Sequence, residues 1–156
     1  MFALGPELQT DLTYLLRIII SMILGGFIGL EREMAEKPAG LRTHVLVAGS
    51  ATLLVILADL IISQFQAQEA SNLIQSDPIR IFEAIMVGIS FLGAGTIWQS
   101  EKGKKIEGLT TAASLFFTGA LGIAVALEKY LLAIASGLIL LGVSSLLKKL
   151  ETRLLK

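Results

Sequence analysis

Residues 12–30, LTYLLRIIISMILGGFIGL, decide the class of this protein. The run is 19 residues long and holds one charge, Arg17. A helix of about 20 mostly apolar residues is what a hydrocarbon core of roughly 30 Å demands. No Lys or Arg precedes Arg17, whereas Glu7 and Asp11 do, so the basic leader of a signal peptide is missing and the run reads as a retained span. Four similar runs follow, at about 45–62, 79–97, 109–127 and 130–147.

Composition agrees. Of 156 residues 54% are apolar and 17% charged, against about 25% charged in soluble domains. Mean hydropathy is +0.76, and a soluble globule of this size would expose aggregating apolar surface. Thirteen basic residues balance 13 acidic ones, which removes a nucleic-acid footprint based on net charge. Without cysteine there is no disulfide, thiolate nucleophile or cysteine metal site, and His44 is the sole histidine. The class that remains is an all-α membrane protein, a bundle of about five transmembrane helices.

Punctuation supports the division. Ser76-Asp77-Pro78 offers a cap and a proline to start the third helix. Pro38 and Gly40 break the chain between the first two runs, and Gly103 and Gly108 bracket a charged loop before the fourth. The short turn at Glu128-Lys129 makes the last two runs an antiparallel hairpin. Residues 64–76 are polar and either extend a helix or lie on the surface. Ten of the basic residues fall in the first loop, the third loop and the tail, which share one side when there are five spans. The positive-inside rule makes that side cytoplasmic, with the N-terminus outside and the C-terminus inside. Residues 1–147 then form the transmembrane domain and 148–156 a short basic tail.

Ionisable residues inside spans are costly and are functional candidates. Arg17, Asp59, Arg80 and Glu83 all fall toward the expected outer leaflet, two of each sign. They admit two readings. Two Arg–carboxylate pairs would neutralise one another and set helix register; alternatively Asp59 and Glu83 are oxygen ligands for a metal such as magnesium on a cation path. A second polar group, Glu31, Arg32, Glu33, Arg42, Thr43 and His44 with Thr96, Thr110 and Thr111, sits at the opposite face. It is either a solvated belt or, at Arg42-Thr43, a specific contact.

Glycines form a third pattern. Ser21, Gly25 and Gly29 recur every four residues on the first helix, a stripe for close helix packing. Gly88, Gly93 and Gly95 in the third run permit either a helix break that exposes backbone to a substrate or tight packing. Enzyme motifs fail: Gly88-x-Ser90 lacks the last glycine of a nucleophile elbow, and Gly103-Lys104 is no P-loop. The expectation is a protein that is not an enzyme and has no resident cofactor, magnesium entering only as a ligand or transported ion.

Several segments together resemble the MgtC/SapB family of bacterial inner-membrane proteins. GGFIGLERE (25–33) with AGLRTHVLV (39–47) resembles its first signature, EAIMVGISFLGAGTI (83–97) its second and GLTTAASLF (108–116) its third. The signature positions are Arg32, Glu33, Gly40, Arg42, Thr43, Glu83, Gly88, Gly93, Gly95, Thr110 and Thr111. Ser90 stands where many members have glycine. The resemblance implies a multi-pass protein associated with growth at low magnesium and, in some pathogens, with virulence. Members were first proposed as magnesium transporters, and better-studied ones look like regulators that bind membrane proteins, including ATP synthase and a sensor kinase. Some members add a soluble domain after the spans, so this chain resembles the short form. The expectation is therefore a regulator linked to magnesium homeostasis that contacts lipid and partner spans. The alternative is a small cation channel or carrier using intramembrane carboxylates, as a homo-oligomer because five helices leave little room for a pore.

Overall fold

The computed structural model describes residues 5–67, 78–99 and 106–154. Five helices carry the chain: α1 (Pro6–Met34), α2 (Leu41–Ala67), α3 (Pro78–Ala94), α4 (Leu109–Ala126) and α5 (Tyr130–Leu154). Between α3 and α4 lies an antiparallel pair of two-residue strands, β1 (Trp98–Gln99) and β2 (Ile106–Glu107). The expected all-α bundle is present, and α1, α2, α4 and α5 are long and apolar enough to cross a membrane. The tip between the strands, with Lys102, Lys104 and Lys105, lies outside the described residues. So does the polar stretch beyond residue 67, although α2 runs into its beginning.

Local chemistry explains the boundaries. Proline at the start of α1 and Glu7 in its first turn suit the unpaired amides and positive dipole there. α1 and α4 end alike, in a left-handed residue followed by a returning amide. Glu36 (φ 52°) precedes Lys37, whose N–H donates to the Arg32 carbonyl at 3.0 Å. Glu128 (φ 60°) precedes Lys129, whose N–H donates to the Ala124 carbonyl at 2.9 Å. The second turn sends α5 straight back along α4.

α3 differs from the sequence expectation. The run expected to reach Ile97 ends at Ala94 after 17 residues. The Gly93-Ala94-Gly95 run favours a helix stop, and the amides of Thr96 and Ile97 close short turns onto the carbonyls of Gly93 and Ala94. The Thr96 hydroxyl also donates to the Gly93 carbonyl at 2.7 Å. Gly108, which opens α4, has φ 88°, and a Cβ there would stand 1.9 Å from the Thr96 carbonyl oxygen. Only glycine fits that junction.

The core is made by α1, α2 and α4, with α3 laid on α4 and α5 touching the others least. Ile28, Ala48, Ala51, Leu115 and Val125 fill it. The glycine stripe of α1 is packed as expected: a Cβ on Gly25 would lie 2.6 Å from the His44 carbonyl oxygen, and one on Gly29 2.7 Å from the Leu41 Cα. Gly122 does the same for α4, its absent Cβ falling 2.4 Å from the Ala48 carbonyl oxygen. Small residues thus let three backbones meet, and dispersion contacts replace the hydrophobic drive that lipid cannot supply. Leu131, Leu132, Leu138 and Ile139 of α5 are left exposed, as suits contact with lipid tails.

Candidate functional site

Two polar clusters lie at opposite ends of the core, joined by a seam of buried hydroxyls. Arg17 marks one end of α1 and Arg32 the other, about 22 Å apart by helical rise.

At the Arg32 end, the first signature folds onto itself. The Glu33 carboxylate accepts the Leu41 N–H at 2.7 Å and so caps α2, where a negative charge also meets the helix dipole. Gly40 makes room for this cap, since a Cβ there would lie 2.8 Å from Glu33 Oε2. Arg32 is buried and pairs with its neighbour Glu31. Both charges act on His44, which is wholly buried one turn into α2. Its Nδ1 lies 2.8 Å from the Gly40 carbonyl and therefore carries a proton, because a carbonyl only accepts. Its Nε2 lies 3.1 Å from Ser114 Oγ on α4.

The specific contact expected at Arg42-Thr43 is thus made one residue later. Arg42 is exposed and Thr43 half-buried. Thr110 is exposed, whereas Thr111 is fully buried and its hydroxyl has no hydrogen-bond partner among the described residues.

From His44 the seam continues along α4 and α2. Ser114 Oγ lies within donating distance of both His44 Nε2 and, at 2.8 Å, the Thr111 carbonyl, which compete for its one proton, and Thr118 donates to the Ser114 carbonyl at 2.8 Å. Thr52 is shared between the Ala48 carbonyl of its own helix at 3.0 Å and the Gly122 carbonyl of α4 at 2.8 Å. Ser114, Thr118 and Thr52 were not among the sequence-derived candidates. Their spacing was a usable signal: 44, 48 and 52 on one helix, and 111, 114 and 118 on another, each fall on a single face.

At the other end, Arg17 projects from α1 across to the α4–α5 turn. It pairs with Glu128 and donates from Nη1 to the Ala126 carbonyl at 3.2 Å. Its guanidinium lies 5.5 Å from the centre of the Tyr14 ring. The Arg17 side chain is 16% exposed and the Glu128 side chain 59%. The carboxylate partner therefore comes from the turn, a residue that sequence reading placed in a loop. Arg17 and Asp59 share a cavity of about 330 Å³, with Val55, Ile62 and Phe82 among its apolar walls. Glu83 and Arg80 are exposed on α3 and are not part of that lining. The expected four-residue cluster is thus drawn together at Arg17 and Asp59, with Glu128 as third member.

Gly88, Gly93 and Gly95 play different parts. α3 is continuous through Gly88, where a Cβ would meet nothing within 4 Å. Gly93 packs on Ala112 of α4, where an added Cβ would lie 3.3 Å from the Ala112 Cα, and Gly95 follows the helix end. Among the described residues, no group of three or more His, Asp or Glu side chains is placed to hold a metal ion.

The MgtC family model matches residues 18–153. The chain is 35% identical to the "Putative magnesium transporter YhiD" of Escherichia coli K12 over 144 residues, 91% of this chain and 64% of that protein. It is 35% identical to "Protein MgtC" of Salmonella typhimurium 14028s over 141 residues, 90% of this chain and 55% of that one. An uncharacterized protein of Haemophilus influenzae is 39% identical over 108 residues, 69% of this chain and 44% of that one. The chain thus spans between 44% and 64% of the length of these curated relatives. No solved structure gives a significant match.

Proposed function

Because the chain belongs to the MgtC family, we propose that it is a non-enzymatic regulator in magnesium homeostasis, acting on other membrane proteins from the bacterial inner membrane. A multi-pass membrane protein of that location is what the family and the four long apolar helices make it. The magnesium connection rests on the names of its relatives. The regulatory reading draws its support from one observation: the interior is zipped shut. Backbones of α1, α2 and α4 meet at Gly25, Gly29 and Gly122, and the Thr52 hydroxyl clasps the α2 and α4 carbonyls where they cross. A hydrated ion cannot pass through the interior of one chain where a methyl group does not fit. The continuity of α3 supports the same reading, because transporter sites are usually built on broken helices. The expected orientation, N-terminus outside, belongs to this proposal.

The carrier alternative keeps one foothold, the Asp59 carboxylate in the Arg17 cavity. Magnesium flux into proteoliposomes of the purified chain separates the two. The regulatory reading expects no saturable flux, and crosslinking in cells grown at low magnesium is expected to capture a membrane protein such as ATP synthase or a sensor kinase. Saturable flux abolished in Asp59→Asn overturns it.

A further inference from the structure

The Arg17 cavity has a charge composition that its own residues do not balance. Arg17 is paired with Glu128 and the Ala126 carbonyl through its two Nη atoms, while its buried Nε has no hydrogen-bond partner among the described residues. Asp59, itself exposed, lines the mouth of the same space and has no ion pair or hydrogen bond among the described residues. One guanidinium therefore faces two carboxyl groups, and the surplus acid opens onto walls that are largely apolar, from α2 (Val55, Ile62) and α3 (Ile81, Phe82). Glu128 reaches Arg17 from a left-handed backbone position (φ 60°) in the α4–α5 turn.

We infer that this cavity is a binding site for an ammonium group carried on an apolar body, with Asp59 as its counter-ion. The shape and chemistry select this class. About 330 Å³ is at the lower end of small-molecule pockets, far more than an inorganic ion needs. A bare magnesium ion asks for an octahedron of oxygens, and here it would meet one unpaired carboxylate, aliphatic walls and a guanidinium of like charge. An alkyl- or arylammonium needs a single carboxylate for its charged end and apolar wall for the rest. Phe82 adds an aromatic surface of the kind that favours organic cations. Such an ammonium could be a free amine or the headgroup of an aminophospholipid. The inference does not depend on the regulatory reading.

The test uses 4-fluorobenzylamine as probe and fluorine NMR as readout, with the full chain purified in nonionic detergent. Saturable line broadening is expected with the wild type. It should weaken at least tenfold in Asp59→Asn and in Ile62→Trp, which fills the cavity while leaving the acid in place. Glu83→Gln, outside the cavity, should bind as the wild type does. The neutral 4-fluorobenzyl alcohol should bind at least tenfold more weakly than the amine. Phosphatidylethanolamine in phosphatidylcholine nanodiscs then distinguishes the sources: displacement of the probe assigns the site to the lipid headgroup, and undiminished binding assigns it to a free amine. Absence of saturable binding, equal binding of amine and alcohol, or unchanged affinity in folded Asp59→Asn or Ile62→Trp overturns the inference.

Discussion

Replacing Gly122 by alanine tests the closed core most directly. A Cβ at that position would stand 2.4 Å from the Ala48 carbonyl oxygen and 3.0 Å from the Ala51 Cβ, both on α2. Neither neighbour is the loose end of a long side chain, so α2 and α4 must part by about half an ångström or more to restore ordinary contact. Overpacking of this sort costs about 1–3 kcal/mol. Separation also stretches the 2.8 Å bond from Thr52 to the Gly122 carbonyl, and loss of an interhelical bond in a membrane adds about 0.6 kcal/mol. Alanine's better helix propensity returns about 1 kcal/mol, which leaves a net destabilisation of roughly 0.5–2.5 kcal/mol. Gly88→Ala is the matched control. It has open space around it and should gain up to about 1 kcal/mol from propensity alone. Reversible unfolding of the purified protein in mixed micelles, followed by circular dichroism, measures both. If Gly122→Ala proves as stable as Gly88→Ala, the backbones of α2 and α4 do not meet as described, and the reasoning for a sealed interior fails with them.

Three further outcomes follow from the clusters. Glu128→Ala removes the partner of Arg17 without relieving the left-handed backbone, whereas Glu128→Gly does both; the glycine variant should be more stable than the alanine one by about 1 kcal/mol in the same unfolding assay. Glu33→Ala should cost about 1 kcal/mol by uncapping α2, and Glu33→Gln, which keeps an acceptor oxygen, about half of that; equal stability of Glu33→Ala and wild type would remove the cap from the account. His44→Ala should destabilise by about 2–4 kcal/mol, because it opens a buried cavity and removes the imidazole's contacts with the Gly40 carbonyl and Ser114, and hydrogen exchange of the first turn of α2 should quicken; a silent variant would show that the seam holds nothing together.

The helices were legible because a bilayer imposes length and hydropathy on each one separately. What tertiary contact decides was less so. The five runs and the short α4–α5 turn could be read directly, yet the early stop of α3 depends on Gly95 and Thr96 turning toward Gly108, some twelve residues on. Arg17 was recognisable as a charge needing a partner. The partner was not, because Glu128 is 111 residues away and looks like any loop carboxylate until the left-handed turn aims it back. The glycine stripe on α1 stood out by its spacing, while Gly122 did not, since its meaning lies in the carbonyl of another helix. Glu33 and Gly40 of the first signature acquire a reason only when α1 and α2 are set side by side: one caps, the other makes room for the cap.

The brevity of α3 has a consequence for the surrounding lipid. Seventeen residues rise about 25 Å, short of a hydrocarbon layer of roughly 30 Å, while the 19-residue apolar run of α1 at 12–30 rises about 28 Å. A bilayer crossed by α3 as well as α1 would thin beside α3. Exposed Trp98, four residues past the end of α3, would then lie where aromatic rings settle among headgroups. The protein would then carry its own ring of deformed membrane, thinner on one flank than on the other. Neighbours of similarly short span would be drawn to that flank by the elastic cost of thick lipid alone.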